Sequence, residues 1–115
     1  MINLDYQSRM PIYEQIISEI EKYVALGILK PQDHLMSIRE LATMLGINPN
    51  TVKKAYAELE KRGVIITLST KGSFIADNIN KIVDTKVEEK ISEIKDIIVE
   101  LEKLGVKKDD IIKRL

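Results

Sequence analysis

SIRELATMLGINPNTVKKAYAELEKR, residues 37–62, consists of two short amphipathic segments hinged on Leu45, Gly46 and Ile47. The first opens on Ser37 with Glu40 three residues later. That is a capping-box pattern, in which the Ser37 hydroxyl accepts from the Glu40 N–H and the Glu40 carboxylate reaches back to the Ser37 N–H. Ile38, Leu41, Ala42 and Leu45 then fall on one helical face, Arg39 projects from the first turn, and Gly46 stops the helix. Asn48 is placed to cap a second helix with Pro49 at its first position, where a missing N–H costs nothing. Val52, Ala55, Tyr56 and Leu59 form the inward stripe of that helix, which ends before Gly63. This leaves Asn50, Thr51, Lys53, Lys54 and Ala57 facing outward. Two helices joined by so tight a turn form a helix-turn-helix.

Upstream, Pro11 suits the first position of another helix. Ile12, Ile16, Ile20 and Val24 recur every four residues, with Tyr13 and Ile17 widening the stripe to about Leu26, and Gly27 can close it. Residues 1–10 show no period and are expected to form an extended lead-in, and residues 28–36, with Pro31 among them, a connector. Downstream, residues 64–67 and 73–76 are β-branched or aromatic runs separated by LSTKG, the pattern of a hairpin with a polar tip, or wing. Residues 77–84 have the character of a polar joint. Thr85, with Glu88 three residues on, then offers another capping box. Val87, Ile91, Ile94, Ile98 and Leu101 are spaced four, three, four and three, which is a heptad seam. Gly105 ends it, and Ile111, Ile112 and Leu115 suggest a short last helix. The expected fold is mainly α with a small β-hairpin wing: a winged helix-turn-helix domain over residues 1–77, then a short C-terminal helical dimerisation tail over residues 78–115. A second copy of the chain is the favoured partner for the seam, with docking on the first helix as the alternative. Binding modules of this size gain affinity by doubling.

Composition narrows the function. The 115 residues contain no cysteine, which excludes disulfides, thiolate metal sites and cysteine nucleophiles and suits the cytoplasm. No apolar run approaches the roughly 20 residues that span a bilayer, and MINLDYQSRMP lacks the pattern of a signal peptide, so neither insertion nor export is expected. The net charge is zero, yet residues 36–81 hold seven basic and four acidic side chains, against three and five before them and eight and nine after. A local excess on a neutral chain can neutralise phosphates while limiting non-specific attachment.

A helix that enters a major groove roughly 12 Å wide needs short donors near its N-terminus and cations on its flanks. Asn50 can pair bidentately with adenine, Thr51 can donate to a phosphate or offer its methyl to thymine, and Lys53 and Lys54 can reach guanine edges or phosphates. Ser37 and Asn48 stand at helix starts, where free N–H groups favour a phosphate, and Arg39 adds a fork-shaped donor. Lys71 and Gly72, at the wing tip, suit a minor-groove phosphate. Plainer readings stand beside these: a solvated charge for each lysine, first-turn chemistry for Asn50 and Thr51, and an ordinary hairpin turn for Lys71 and Gly72. Tyr23 and Tyr56 lie in apolar stripes, and Met10, Met36 and Met44 fill core or connector positions. His34, beside Asp33, is the sole histidine and has no second His or Cys with which to form a metal or catalytic site. Glu88 and Glu89, and Asp109 and Asp110, diverge on a helix and form no carboxylate dyad. No glycine-rich phosphate loop is present. Neither a cofactor nor an enzymatic reaction is expected. The residues predict a sequence-specific DNA-binding protein, with a winged module that docks protein partners without nucleic acid as the alternative.

PIYEQI at 11–16, GILKP at 27–31, S-x-R-E-L-A at 37–42, LGINPNTV at 45–52, AYAELE at 55–60, RGVI at 62–65 and KGSFI at 71–75 follow in order. Together they resemble the N-terminal domain of the GntR family of bacterial transcription regulators. The NPNTV version and the short helical tail look like its YtrA-like subfamily. The resemblance implies a winged helix, a homodimer built through the C-terminal helices, an inverted-repeat operator and, more loosely, control of genes for membrane transporters; a repressor is the favoured reading of such a regulator. By position, the family's DNA contacts fall on Arg39, Asn50, Thr51, Lys53 and Gly72. The chain departs from the family at Gln32 and Met36, where glycine and proline are usual, and at Thr70, which replaces a wing glycine. Pro49 replaces an arginine that many relatives carry, so Lys53 and Lys54 must compensate. The tail alone is too small to enclose an effector pocket of roughly 300 Å³.

Overall fold

Helix α1 (Ile12–Ala25) follows Pro11, buries Ile16, Ile17, Ile20 and Val24, and is closed by the left-handed Gly27 (φ 74°), whose N–H donates to the Val24 carbonyl. In the computed structural model, which describes residues 2–115, it is followed by α2 (Ile38–Leu45), α3 (Pro49–Lys61), β1 (Ile65–Leu68), a 3₁₀ turn (Ser69–Lys71), β2 (Gly72–Ile75), α4 (Ile79–Lys103) and α5 (Lys108–Lys113). Helix α3 packs on both α1 and α2. Val52 and Leu59 of α3 are sealed from solvent along with Ile16, Ile65, Ile75 and Ile79. Side chains of this size contribute about 1.5–3 kcal/mol each when fully buried. Leu41 and Ala42 fix α2 to the same core, and Ile38 and Leu45 are half-buried at its margins.

Two stretches differ from the sequence-based expectation. The lead-in is extended only at its start, and residues 6–10 turn back; residue 1 lies outside the described residues. The buried Gln15 side chain is the reason. Its Nε2 donates to the Asp5 and Met10 carbonyls at 2.9 and 2.8 Å, and its Oε1 accepts from the Asp5 N–H at 2.8 Å. The expected joint over residues 77–84 is largely helix, because Ile79, Ile82 and Val83 already follow helical spacing and Ile79 is buried. Helix α4 therefore starts at Ile79, with the Ile82 N–H donating to the Asn78 carbonyl at 3.1 Å. Thr85 lies inside it and does not cap it. The chain forms two compact units, one ending at Ile82 and one comprising Val83–Leu115. In the second, Gly105 (φ 92°) follows the end of α4, Asp109 and Asp110 lie in the first turn of α5, and Ile111 is buried.

Strands β1 and β2 pair antiparallel from Ile65 opposite Ile75 to Leu68 opposite Gly72, so the tip narrows to Ser69–Lys71. The connector is more ordered than its composition suggests. It adds an edge to the hairpin through Gln32 N–H to the Ile75 carbonyl, Ile75 N–H to the Asp33 carbonyl and Leu35 N–H to the Ser73 carbonyl, each 2.9 Å. Gln32 turns the chain into this pairing with a left-handed backbone (φ 69°). For a residue with a Cβ that conformation costs roughly 1–2 kcal/mol. Gln32→Gly removes the strain but frees the unfolded chain, so a net gain of about 0.5–1 kcal/mol is expected in denaturant titration.

Candidate nucleic-acid interface

The starts of α2 and α3 are built by their own side chains. At α2 the Ser37 Oγ accepts from the Glu40 N–H at 3.1 Å and the Glu40 carboxylate accepts from the Ser37 N–H at 3.2 Å, so the capping box is closed. Hydrogen bonding by the Ser37 side chain first, and by its backbone N–H second, holds the Glu40 carboxyl below the usual carboxylate range. Arg39 is exposed one residue into the helix. The left-handed Gly46 (φ 69°) ends α2 and is followed closely by α3. There the Asn48 side chain accepts from the Asn50 N–H at 2.8 Å, with Pro49 in the first turn. Asn48 is thus committed through Oδ1 to the cap and has its amide N–H₂ left to donate. Asn50 and Lys53 are exposed and Thr51 is half-buried. Spacing of three to four residues places Asn50, Lys53, Lys54 and Ala57 along one stripe.

The basic residues differ in what they already touch. The Lys54 ammonium lies 4.0 Å from the centre of the Tyr13 ring, above a hollow between α1 and α3. A cation–π contact at an exposed site is worth about 0.5–1 kcal/mol, which a phosphate can displace. Arg62 is held by Glu58 and Glu21, both at 3.1 Å. Arg39, Lys53 and Lys71 are exposed and form no ion pair among the described residues. Sequence spacing could not show the Lys54–Tyr13 pairing, because it joins two helices.

The wing is braced from below. His34 stacks on Phe74 with ring centroids 4.7 Å apart, Thr67 and Ser73 share a hydroxyl hydrogen bond of 3.2 Å across the strands, and Gly72 takes φ 102° and ψ −161°. Lys71 is exposed in the tip with Ser69 and Thr70, whose hydroxyls join the candidate surface. The sole histidine is therefore a structural element of the wing. Tyr56 ties α3 to the start of α2, its hydroxyl donating to the Met36 carbonyl at 2.7 Å. Burial first, and the Glu40 charge second, push its pKa up from 10.0 to about 12. The fold holds this phenol neutral, so its contribution to stability is intact below the unfolded value near 10 and lost as pH rises toward 12. Alkaline melts of the parent should decline over that window. Tyr56→Phe should flatten the decline while costing about 1 kcal/mol at neutral pH, because the Met36 carbonyl loses its donor.

On α4, Val87, Ile91 and Ile94 are exposed and Ile98 and Leu101 half-buried. No helix among the described residues is long and apolar enough to cross a membrane.

Residues 12–75 match the family described as bacterial regulatory proteins, gntR family. The HTH-type transcriptional repressor YtrA of Bacillus subtilis (strain 168) is 48% identical over 101 residues, spanning 88% of this chain and 75% of that protein. A transcriptional regulator from Oenococcus oeni superposes with a TM-score of 0.75 at 37% identity, covering 98% of this chain and 94% of that one. The DNA-binding domain of AraR, solved in complex with operator ORE1, superposes with a TM-score of 0.57 at 25% identity, covering 66% and 93%.

Proposed function

Since the chain belongs to the gntR family of bacterial regulatory proteins, we propose that it represses transcription by binding an inverted-repeat operator as a homodimer. It is a DNA-binding transcription regulator of the YtrA-like kind and not an enzyme. In this reading the winged domain, residues 1–77, reads duplex DNA in the cytoplasm, and residues 78–115 pair two copies so that their α3 helices meet half-sites about one helical turn apart or a multiple of it. The observation that carries the proposal is the exposed array at the two capped helix starts: Arg39 on α2, and Asn50 and Lys53 on α3. Short donors and unpaired cations at a helix start are what base edges and phosphates require. The operator-bound AraR domain shows a relative of the same fold on DNA. The exposed heptad seam on α4 supports the pairing.

Fragments selected from the source genome would supply the operator. On it, Arg39→Ala and Thr51→Ala should each cost about 1–3 kcal/mol, roughly 5- to 150-fold in affinity. Gel-shift titration should also show log affinity falling with log salt by roughly 0.9 per neutralised phosphate. Full affinity in the double alanine variant would remove these two residues from the interface. A salt-independent response would remove duplex binding itself and favour a protein-docking module.

A further inference from the structure

An apolar hollow of about 550 Å³ opens in the first unit between the C-terminal half of α1, the connector and the faces of α2 and α3. Ile20, Ile28, Leu29, Met36 and Leu41 form most of its wall, and no Asp, Glu, Lys or Arg lines it. The polar atoms available are few. The Tyr56 hydroxyl, whose proton goes to the Met36 carbonyl, has lone pairs left to accept; the Tyr23 hydroxyl is engaged by Glu19, and the His34 ring, stacked on Phe74, completes the lining.

Ordinarily such a hollow would close, because unfilled apolar walls forfeit dispersion contacts. Here the connector is held away by its backbone. Gln32, Asp33 and Leu35 are hydrogen-bonded to β2, and the left-handed turn at Gln32 is kept despite its strain. The walls are thus set by bonds to the wing, and the space between them is left for something else. Its volume lies in the roughly 300–1,000 Å³ range of small-molecule sites. A charged occupant would lose hydration with no countercharge to meet it.

We propose that this hollow binds a small, neutral, mainly apolar molecule carrying one hydrogen-bonding group. The position gives such a molecule a route to the reading head. One wall is Met36, next to the Ser37 cap and three residues from Arg39, and another is His34, stacked on Phe74 of the wing. Binding is independent of whether the chain reads DNA, so the test measures binding alone.

The probe is N-phenyl-1-naphthylamine, which is uncharged and fluoresces when removed from water. The full chain should bind one equivalent per protomer with micromolar affinity. Ile28→Glu and Met36→Glu, on different walls and both at partly exposed positions, should each weaken binding at least tenfold with unchanged far-UV circular dichroism. Ile94→Glu, on the exposed seam of α4, should leave binding unchanged, which separates the hollow from the other apolar surface. No fluorescence gain up to the solubility limit would overturn the proposal, as would loss on Ile94→Glu with retention in both wall variants.

Discussion

Replacing Ile91 and Ile94 together with aspartate is expected to make the chain monomeric in sedimentation equilibrium and to lower operator affinity by roughly 100-fold or more. Both side chains are about half exposed in the single chain, at 41% and 49%, so the substitution removes little packing from the protomer itself. What it removes is the heptad surface, where each aspartate would bury a charge against its symmetry mate. The effect on DNA binding follows from valency. In the proposed dimer the partner's α3 would be presented at an effective concentration of order millimolar, and avidity of 10²–10⁴ would be lost when the pairing fails, with no contact to DNA altered. Two readouts separate this from a folding defect. The winged unit should keep its circular dichroism spectrum, and the salt dependence of the residual binding should fall to about half the parent slope, because half the phosphates are contacted. A variant that remains dimeric with the parent's affinity would exclude the seam as the interface.

The parts of this molecule legible in the sequence are those whose causes are local. Ser37, Glu40, Asn48, Pro49 and the two glycines that follow α1 and α2 fix the helix ends within a few residues of themselves, and the structure places those ends accordingly. The wing was legible for the same reason: two β-branched runs around a polar tip. The connector was not, because its order comes from backbone bonds to a strand some 40 residues away and from His34 lying on Phe74, neither of which leaves a periodic trace. At α4 a local signal misled. Thr85 and Glu88 match a capping box, but Ile79 gains more by burial in the core than the box offers, and the helix starts six residues earlier. Exposure at the candidate surface followed from spacing for Arg39, Asn50 and Lys53. The seat of Lys54 on Tyr13 and the ties of Arg62 to Glu21 and Glu58 depend on how α1 packs against α3. Charge counting along the chain therefore overstated the cations free to meet a phosphate.

Gly72→Ala should be the most damaging single-methyl change in the wing. With φ 102° and ψ −161°, residue 72 occupies a backbone region essentially confined to glycine, where a side chain costs about 1–3 kcal/mol. Space is also lacking, since a Cβ there would stand 2.8 Å from His34 Nε2. That ring can move aside only by giving up its stack on Phe74, because its backbone is held in the edge that the connector adds to β2. The two costs act together, and a fall in Tm of roughly ten degrees or more is expected for a unit of this size. They can be divided by a double-mutant cycle. His34→Ala removes the clash but leaves the backbone strain, so in the Gly72→Ala background it should recover part of the loss, whereas alone it should destabilise by removing the stack. If Gly72→Ala melts with the parent, the backbone at the wing tip is not held as described. If it is destabilised and His34→Ala restores nothing, the cost is backbone strain alone and the histidine does not fix the space beneath the glycine.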